Sequence, residues 1–217
     1  MISVLFPSRK RPAWLQRSVS SLVSLAEDSS QVEVLVACDP DDDETPAVVM
    51  PGLKVWVAPE RYGYHGTHYY MNALARQASG TWLMLWCDQA EMLTPGWDAV
   101  IESQQPGVWY PDASPDFSFD ITPAWPAAWT KALGHVAAYN HIDTYIQRLG
   151  EAVGRHSQLP VKIVHNRADV TADISEDDTY REGRKRLGPY GMTGPFPEEA
   201  LARDSEIVSC LLRSSGG

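Results

Sequence analysis

This sequence predicts an α/β fold with one mostly parallel central sheet flanked by helices, on three observations. Across residues 1–100, short β-branched and apolar runs alternate with helix-period patterns, as strand–helix–strand crossovers require. Each apolar run hands over to polar residues at its carboxyl end, the edge where open α/β sheets bind ligands. A chain of 217 residues with 44% hydrophobic content buries a full core in one domain, with little left for a second.

The elements follow in order. Ile2 to Phe6 reads as a buried strand, and Ser8 to Pro12 as a polar turn. Leu15, Val19, Leu22 and Ala26 then recur at helical spacing, with Pro12 suited to the opening turn, where its missing N–H is not needed. Val32 to Ala37 predicts a second strand running into the acidic loop Asp39 to Glu44, and Leu53 to Val57 a third. A Gly- and Tyr-rich loop, Arg61 to Gly66, leads into a helix with Tyr70, Met71, Leu74, Ala75 and Ala78 on its apolar side and Gly80 as its C-cap. Thr81 to Trp86 is the fourth strand, and Pro95 to Asp98 turn into another helix.

The second half is less regular. Val108 to Trp129 is rich in Trp and Pro, Ile142, Ile146, Leu149 and Val153 share a helical face, and Val161 to Val164 reads as a strand. Residues 169–180 are acidic, 181–186 basic and 189–197 rich in Gly and Pro, the composition of a mobile segment ahead of a final helix from Pro197 to Leu212.

Charge and cysteines exclude several classes. A net charge of −10 argues against a protein held mainly by a phosphate backbone, because non-specific nucleic-acid affinity depends on clustered Lys and Arg. Cys38, Cys87 and Cys210 are odd in number and far apart, without zinc-knuckle or disulfide-scaffold spacing, which fits a reducing cytoplasmic setting. Met1 to Phe6 is too short for a signal-peptide core, and no apolar run approaches membrane-spanning length, so an unexported protein without a membrane partner is expected.

No Gly-x-Gly-x-x-Gly follows the first strand, and no phosphate loop ending in Gly-Lys-Ser or Gly-Lys-Thr occurs, so dinucleotide and ATP-loop schemes lose their main support. Four segments stand in order instead: Val4 to Arg9, Val34 to Asp39, Asn72 to Gly80 and Leu85 to Asp88. Together they resemble the N-terminal half of family 2 type glycosyltransferases of the GT-A fold, closely over residues 1–100 and loosely beyond. The resemblance implies a single GT-A-like domain over 1–217, with a nucleotide-sugar-binding half (1–100) and an acceptor half carrying the C-terminal helix (101–217).

It also implies roles. The turn after the first strand, here Pro7, Ser8 and Arg9 with Arg11 nearby, would cradle the nucleotide, and Asp39 would read the base. Arg9 is chemically suited to fork onto a diphosphate, and Asp39 to accept from a uracil or guanine ring N–H. The alternative reading makes Arg9 and Arg11 solvated turn charges and Asp41 to Glu44 a soluble loop. The family's Asp-x-Asp pair, which binds Mn²⁺ or Mg²⁺, is incomplete: in Cys87-Asp88-Gln89-Ala90-Glu91 only Asp88 and Glu91 are carboxylates. Metal coordination would then fall to Asp88 first, with Glu91 and His165 as helpers. Glu91 as a surface acid and His165 as a structural histidine are the competing readings. His65 and His68 flank Gly66 beside the donor loop, as phosphate contacts or surface residues.

On the acceptor side, the segment Asn140 to Tyr145 resembles one in related enzymes where an acid near a helix start is the catalytic base. Asp143 is that acid here and His141 its substitute, with Glu91 and Asp112 next. Off the apolar stripe and near a helix N-terminus, Asp143 is equally favoured for purely structural reasons. Trp109, Trp125 and Trp129 would stack on sugars or fill core. The expected activity is transfer of a sugar, by an inverting course, from a UDP- or GDP-sugar to a hydroxyl on a modified DNA base, protein or glycan. Compact chains of this kind also resemble glycosyltransferases of bacterial viruses. A nucleotidyltransferase and a non-catalytic nucleotide-sugar-binding module are the alternatives.

Overall fold

The computed structural model describes residues 1–113, 121–166, 181 and 196–214. The strands are β1 (Ile2–Pro7), β2 (Val32–Cys38), β3 (Leu53–Val57), β4 (Trp82–Leu85), β5 (Ala90–Met92), β6 (Val108–Asp112), β7 (Ala124–Pro126) and β8 (His156–His165). The helices are α1 (Pro12–Leu25), α2 (Thr67–Ala75), α3 (Trp97–Glu102), α4 (Ala127–Leu133), α5 (Ile142–Ala152) and α6 (Glu198–Ser214).

They build one sheet in the order β3-β2-β1-β4-β7-β6-β8-β5. The β3-β2-β1-β4 portion is parallel throughout, because each of its connections crosses over the sheet face. Beyond β4 the sheet becomes mixed: β4 with β7, β7 with β6 and β8 with β5 pair antiparallel, while β6 with β8 is parallel. The expected central sheet is present, and the second half adds strands that reverse direction.

Strand side chains alternate between two cores, as a period of two demands. Val4, Phe6, Val34, Val36 and Met84 pack under α1 and α3, where Leu15, Val19, Leu22, Trp97 and Ile101 are buried. Leu5, Leu35, Ala37, Leu83 and Leu85 face the other way, under Met71, Leu74, Trp129, Ile146, Leu149, Leu201 and Val208 from α2, α4, α5 and α6. Trp125 and Trp129 lie in that second core, and Trp109 packs half-buried against the first, so these tryptophans fill core.

Three sequence expectations are corrected. Gly80 is not a helix cap: α2 ends at Ala75, and Arg76 caps it. Gly80 instead lets the chain pass close to β1, since a Cβ there would lie 2.6 Å from Ser3 Oγ and 2.7 Å from Ser3 N. The stretch from Val108 to Trp129 contains β6, β7 and the start of α4, and β8 begins five residues before Val161. Residues 169–180 and 189–195, expected to be mobile, lie outside the described residues.

Two buried acids tie the layers. Glu33 accepts from Ser3 Oγ (2.6 Å), Ser79 N (2.6 Å), Ser79 Oγ (2.8 Å) and Lys54 Nζ (2.9 Å), joining β1, β2, β3 and the approach to β4. Asp204 accepts from Tyr145 Oη (2.5 Å) and pairs with His135 Nε2 (2.8 Å), docking α6 onto α5 and the end of α4.

Candidate functional site

The carboxyl ends of β1, β2 and β4 are neighbours in the sheet, so the segments that follow them meet at one edge. After β1 the chain turns sharply through Lys10, whose φ of +52° is in the left-handed region, before Pro12 opens α1. A non-glycine residue is held there because Asp42 Oδ2 accepts the Lys10 N–H at 2.8 Å. Asp42 also accepts from the backbone N–H of Glu44 and Thr45 at 3.0 Å and from Thr45 Oγ1 at 2.6 Å. Within the acidic loop, then, Asp42 is a buried organising residue and not a solvated charge.

This turn places its side chains between two acids. Ser8 Oγ donates to Asp88 Oδ2 at 2.9 Å, and Arg11 Nη1 lies 3.2 Å from Asp88 Oδ1. Arg9 Nη1 donates to Asp39 Oδ2 at 2.8 Å, and Arg9 also forks onto both oxygens of Asp41. Those contacts raise the Arg9 pKa, with the Asp41 hydrogen bond the largest cause, and hold Asp41 well below the usual carboxylate range. The expected fork of Arg9 onto a diphosphate therefore meets a competing fork already made within the protein. Pro7 closes β1 half-buried, beside Ala37 in register, and positions Ser8 by ending the strand.

Asp39 and Asp88 are both buried, with 5% and 4% of their surface exposed. Tyr70 Oη donates to Asp39 Oδ1 and accepts the N–H groups of Tyr62 (2.9 Å) and Gly63 (3.1 Å), while Arg61 Nε stands 3.6 Å from Asp39 Oδ2. Tyr70 carries a role the sequence reading missed. It reads as one more apolar-face residue of its helix, and only its hydroxyl, invisible to periodicity, ties Asp39 to the 62–63 backbone. His65 is half-buried in the tight 64–66 turn, and burial lowers the pKa of His68, favouring the neutral ring. Burial pushes the thiols next to both acids up, Cys38 to about 11 and Cys87 to about 12, so neither is a nucleophile at neutral pH.

The three expected metal ligands are not brought together. Among the described residues, no three His, Cys, Asp or Glu side chains converge as a metal-ligand group. Glu91 sits on β5, with Oε2 at 2.7 Å from Arg17 Nε and Oε1 accepting from Asn166 Nδ2 at 2.8 Å. His165 ends β8 in register with Ala90, beside Glu91's own partner Val164. An Asp88 already paired with a cation and a Glu91 held elsewhere do not fit a divalent cation bridged by two acids.

In the second half, His141 is the N-cap residue of α5, and its ring stacks on Tyr139 with centroids 5.5 Å apart. Asp143 is half-buried in the first turn of α5, not on its exposed side as the sequence suggested, and its Oδ1 accepts from Thr144 N at 2.8 Å. Desolvation raises its pKa above the ordinary carboxylate value, against the lowering effect of the Thr144 N–H and of His141. That is the environment a proton acceptor needs. Asn72 of α2 links the two halves: its Oδ1 accepts from Val136 N at 2.7 Å, and its Nδ2 donates to Ala137 O at 3.2 Å. Asp112 ends β6, half-buried.

No protein-family model matches the sequence, and no curated protein matches it. Solved structures do. The mannosyltransferase PcManGT from Pyrobaculum calidifontis, in complex with GDP-Man and Mn²⁺, aligns with a TM-score of 0.61 at 15% identity, over 96% of this chain and 80% of that one. TarS 1–349 from S. aureus aligns with a TM-score of 0.61 at 15% identity, in complex with UDP over 97% of this chain and 70% of that one. Its complex with UDP-GlcNAc aligns equally, over 97% and 71%. The architecture of this chain is thus an α/β domain with a curled mixed sheet flanked by helices, the GT-A-like fold of these glycosyltransferases.

Proposed function

We propose that this protein transfers a glycosyl group from a nucleotide-diphosphate sugar to a hydroxyl acceptor. One observation carries the reading: two hydrogen-bonded groups, Ser8 and Arg11 on Asp88 and Arg9 on Asp39, share the edge at the carboxyl ends of β1, β2 and β4. In open α/β sheets that is where ligands bind. The structural relatives are glycosyltransferases, and those quoted above hold GDP-Man, UDP or UDP-GlcNAc.

In this reading Asp39 accepts from the ring N–H of a uracil or guanine, and the diphosphate lies along the β1 turn toward Asp88, with His65 on the adjoining loop. Asp143 takes the proton of the acceptor hydroxyl as that oxygen bonds to the sugar's anomeric carbon. The bond from that carbon to the diphosphate breaks with its electron pair, giving inversion and a free nucleoside diphosphate. His141 is the substitute base. The acceptor, whether modified DNA base, protein or glycan, approaches over α5. No helix among the described residues is long and apolar enough to cross a membrane.

The test is a panel of UDP- and GDP-sugars screened for thermal stabilisation, followed by product analysis of any that stabilise. Ligand linkage raises the melting temperature only for a donor that binds the folded state. Released nucleoside diphosphate supports the proposal, and released pyrophosphate would make the protein a nucleotidyltransferase. Binding without transfer or donor hydrolysis would leave a nucleotide-sugar-binding module.

A further inference from the structure

We propose that the Arg11 guanidinium occupies the place on Asp88 that a divalent cation would take, so that the donor diphosphate is neutralised by arginine and the protein works without a metal. This rests on the nucleotide-sugar reading above and concerns the leaving-group side of the same site.

The geometry points there step by step. Asp88 is nearly fully buried, and each of its oxygens is engaged, Oδ2 by Ser8 Oγ at 2.9 Å and Oδ1 by Arg11 Nη1 at 3.2 Å. A cation binding Asp88 must either displace a guanidinium or share one carboxylate with it, and each costs affinity. The second carboxylate that would offset this cost is Glu91, which Arg17 and Asn166 hold on β5. The acid pair is therefore occupied at both members by cations or amide donors of the chain itself.

Arginine satisfies the same electrostatic need in another way. A guanidinium has five N–H donors in a planar fork, more than one carboxylate accepts, so a single Arg bridges a carboxylate and a phosphate. The side chains of Arg11 and Asp88 are only 17% and 6% exposed, which shields the pair from screening by salt. Of the other two cations of the turn, Arg9 is committed to Asp39 and Asp41 and Lys10 is exposed, so the charge paired with Asp88 from this turn is that of Arg11. Asp88 then acts as a positioning residue that aims Arg11, where an Asp-x-Asp acid would be a metal ligand.

Calorimetric titration of the full chain with UDP, GDP, ADP, CDP and TDP, in EDTA and then with Mn²⁺ or Mg²⁺, decides the matter. The wild-type Kd for the preferred nucleotide should differ by no more than about threefold between the two conditions. Arg11→Ala should weaken binding in EDTA by about 10- to 100-fold, the scale of a charge-assisted hydrogen bond. With Asp88 uncovered, the same variant should regain affinity when Mn²⁺ is added, a response that loss of folding would not produce. Should Arg11→Ala fold poorly by its melting curve, Arg11→Gln carries the same expectations.

A wild-type protein that loses more than about tenfold of its affinity in EDTA overturns the proposal. So does an Arg11 variant that binds as wild type in EDTA. Both outcomes leave the nucleotide-sugar reading intact. If no nucleoside diphosphate binds in either condition, both readings fall together.

Discussion

The Tyr70 hydroxyl is shared between Asp39 and the loop at Tyr62 and Gly63, donating to the carboxylate while accepting both backbone N–H groups. One side chain on α2 thus fixes the acid at the end of β2 and the backbone of the 62–63 loop together. Removing it with Tyr70→Phe leaves two amides without their acceptor and a buried carboxylate short of a donor. The expected cost is about 1–3 kcal/mol of stability. Urea unfolding should show a lower midpoint at unchanged slope, and nucleotide affinity should fall because Asp39 and the loop are no longer held in register.

The proposed base predicts a separation of chemistry from binding. Asp143→Asn should cut transfer by about 10²- to 10⁴-fold while leaving donor affinity nearly intact. Because desolvation raises the Asp143 pKa, the acid limb of the pH profile should lie above the ordinary carboxylate range, since the base works only when ionised. Single-turnover rates across pH check both points. If Asp143→Asn keeps full transfer and His141→Ala loses it, the roles are exchanged.

Glu33 sets a pH dependence of folding. Burial pushes its carboxyl up, but the bonds from Ser3, Lys54 and Ser79 outweigh this and lower its pKa from 4.5 to about 2. A depressed acid stabilises the folded state above its unfolded pKa. That contribution is lost as pH falls from 4.5 through about 2. Glu33→Gln should cost about 1–3 kcal/mol at neutral pH and flatten the loss of stability in that window, as read by urea melts from pH 7 to 2.

Gly80 separates packing from capping. A Cβ there would meet Ser3 Oγ at 2.6 Å, Ser3 N at 2.7 Å and Met1 O at 2.9 Å, two of them backbone atoms that cannot rotate away. Gly80→Ala should therefore destabilise by about 1–3 kcal/mol, an overpacking effect. Gly80→Asn, which a left-handed cap would tolerate, should be worse than Ala and not better. Thermal melts of the two variants rank them directly.

Local pattern carried much of the first half of the molecule. β1, β2 and β4 are legible because buried parallel strands are continuous apolar runs, the edge strand β3 because of its β-branched and aromatic residues, and α1 because it repeats at helical spacing. The polar residues at strand ends mark Ser8, Arg9, Asp39 and Asp88 as candidates, since each directly follows an apolar run or a turn at its carboxyl end. β5, β6 and β7 escaped the same reading. They are three to five residues long, contain Pro or Glu, and owe their extended form to pairing with distant partners.

The sequence by itself therefore determined the α/β class, the parallel portion of the sheet and the gathering of polar strand ends at one edge, because these follow from local periodicity and chain order. Only the tertiary structure decided who partners whom. It turned Arg9 onto Asp41 and set Arg11 and Ser8 on Asp88. It drew Glu91 away to Arg17 and Asn166, and shielded Asp143 where an exposed helix start was expected. Each of these depends on distances between residues far apart in the chain. A charge shows in the sequence, but the counter-charge it meets and the water it loses are set by packing.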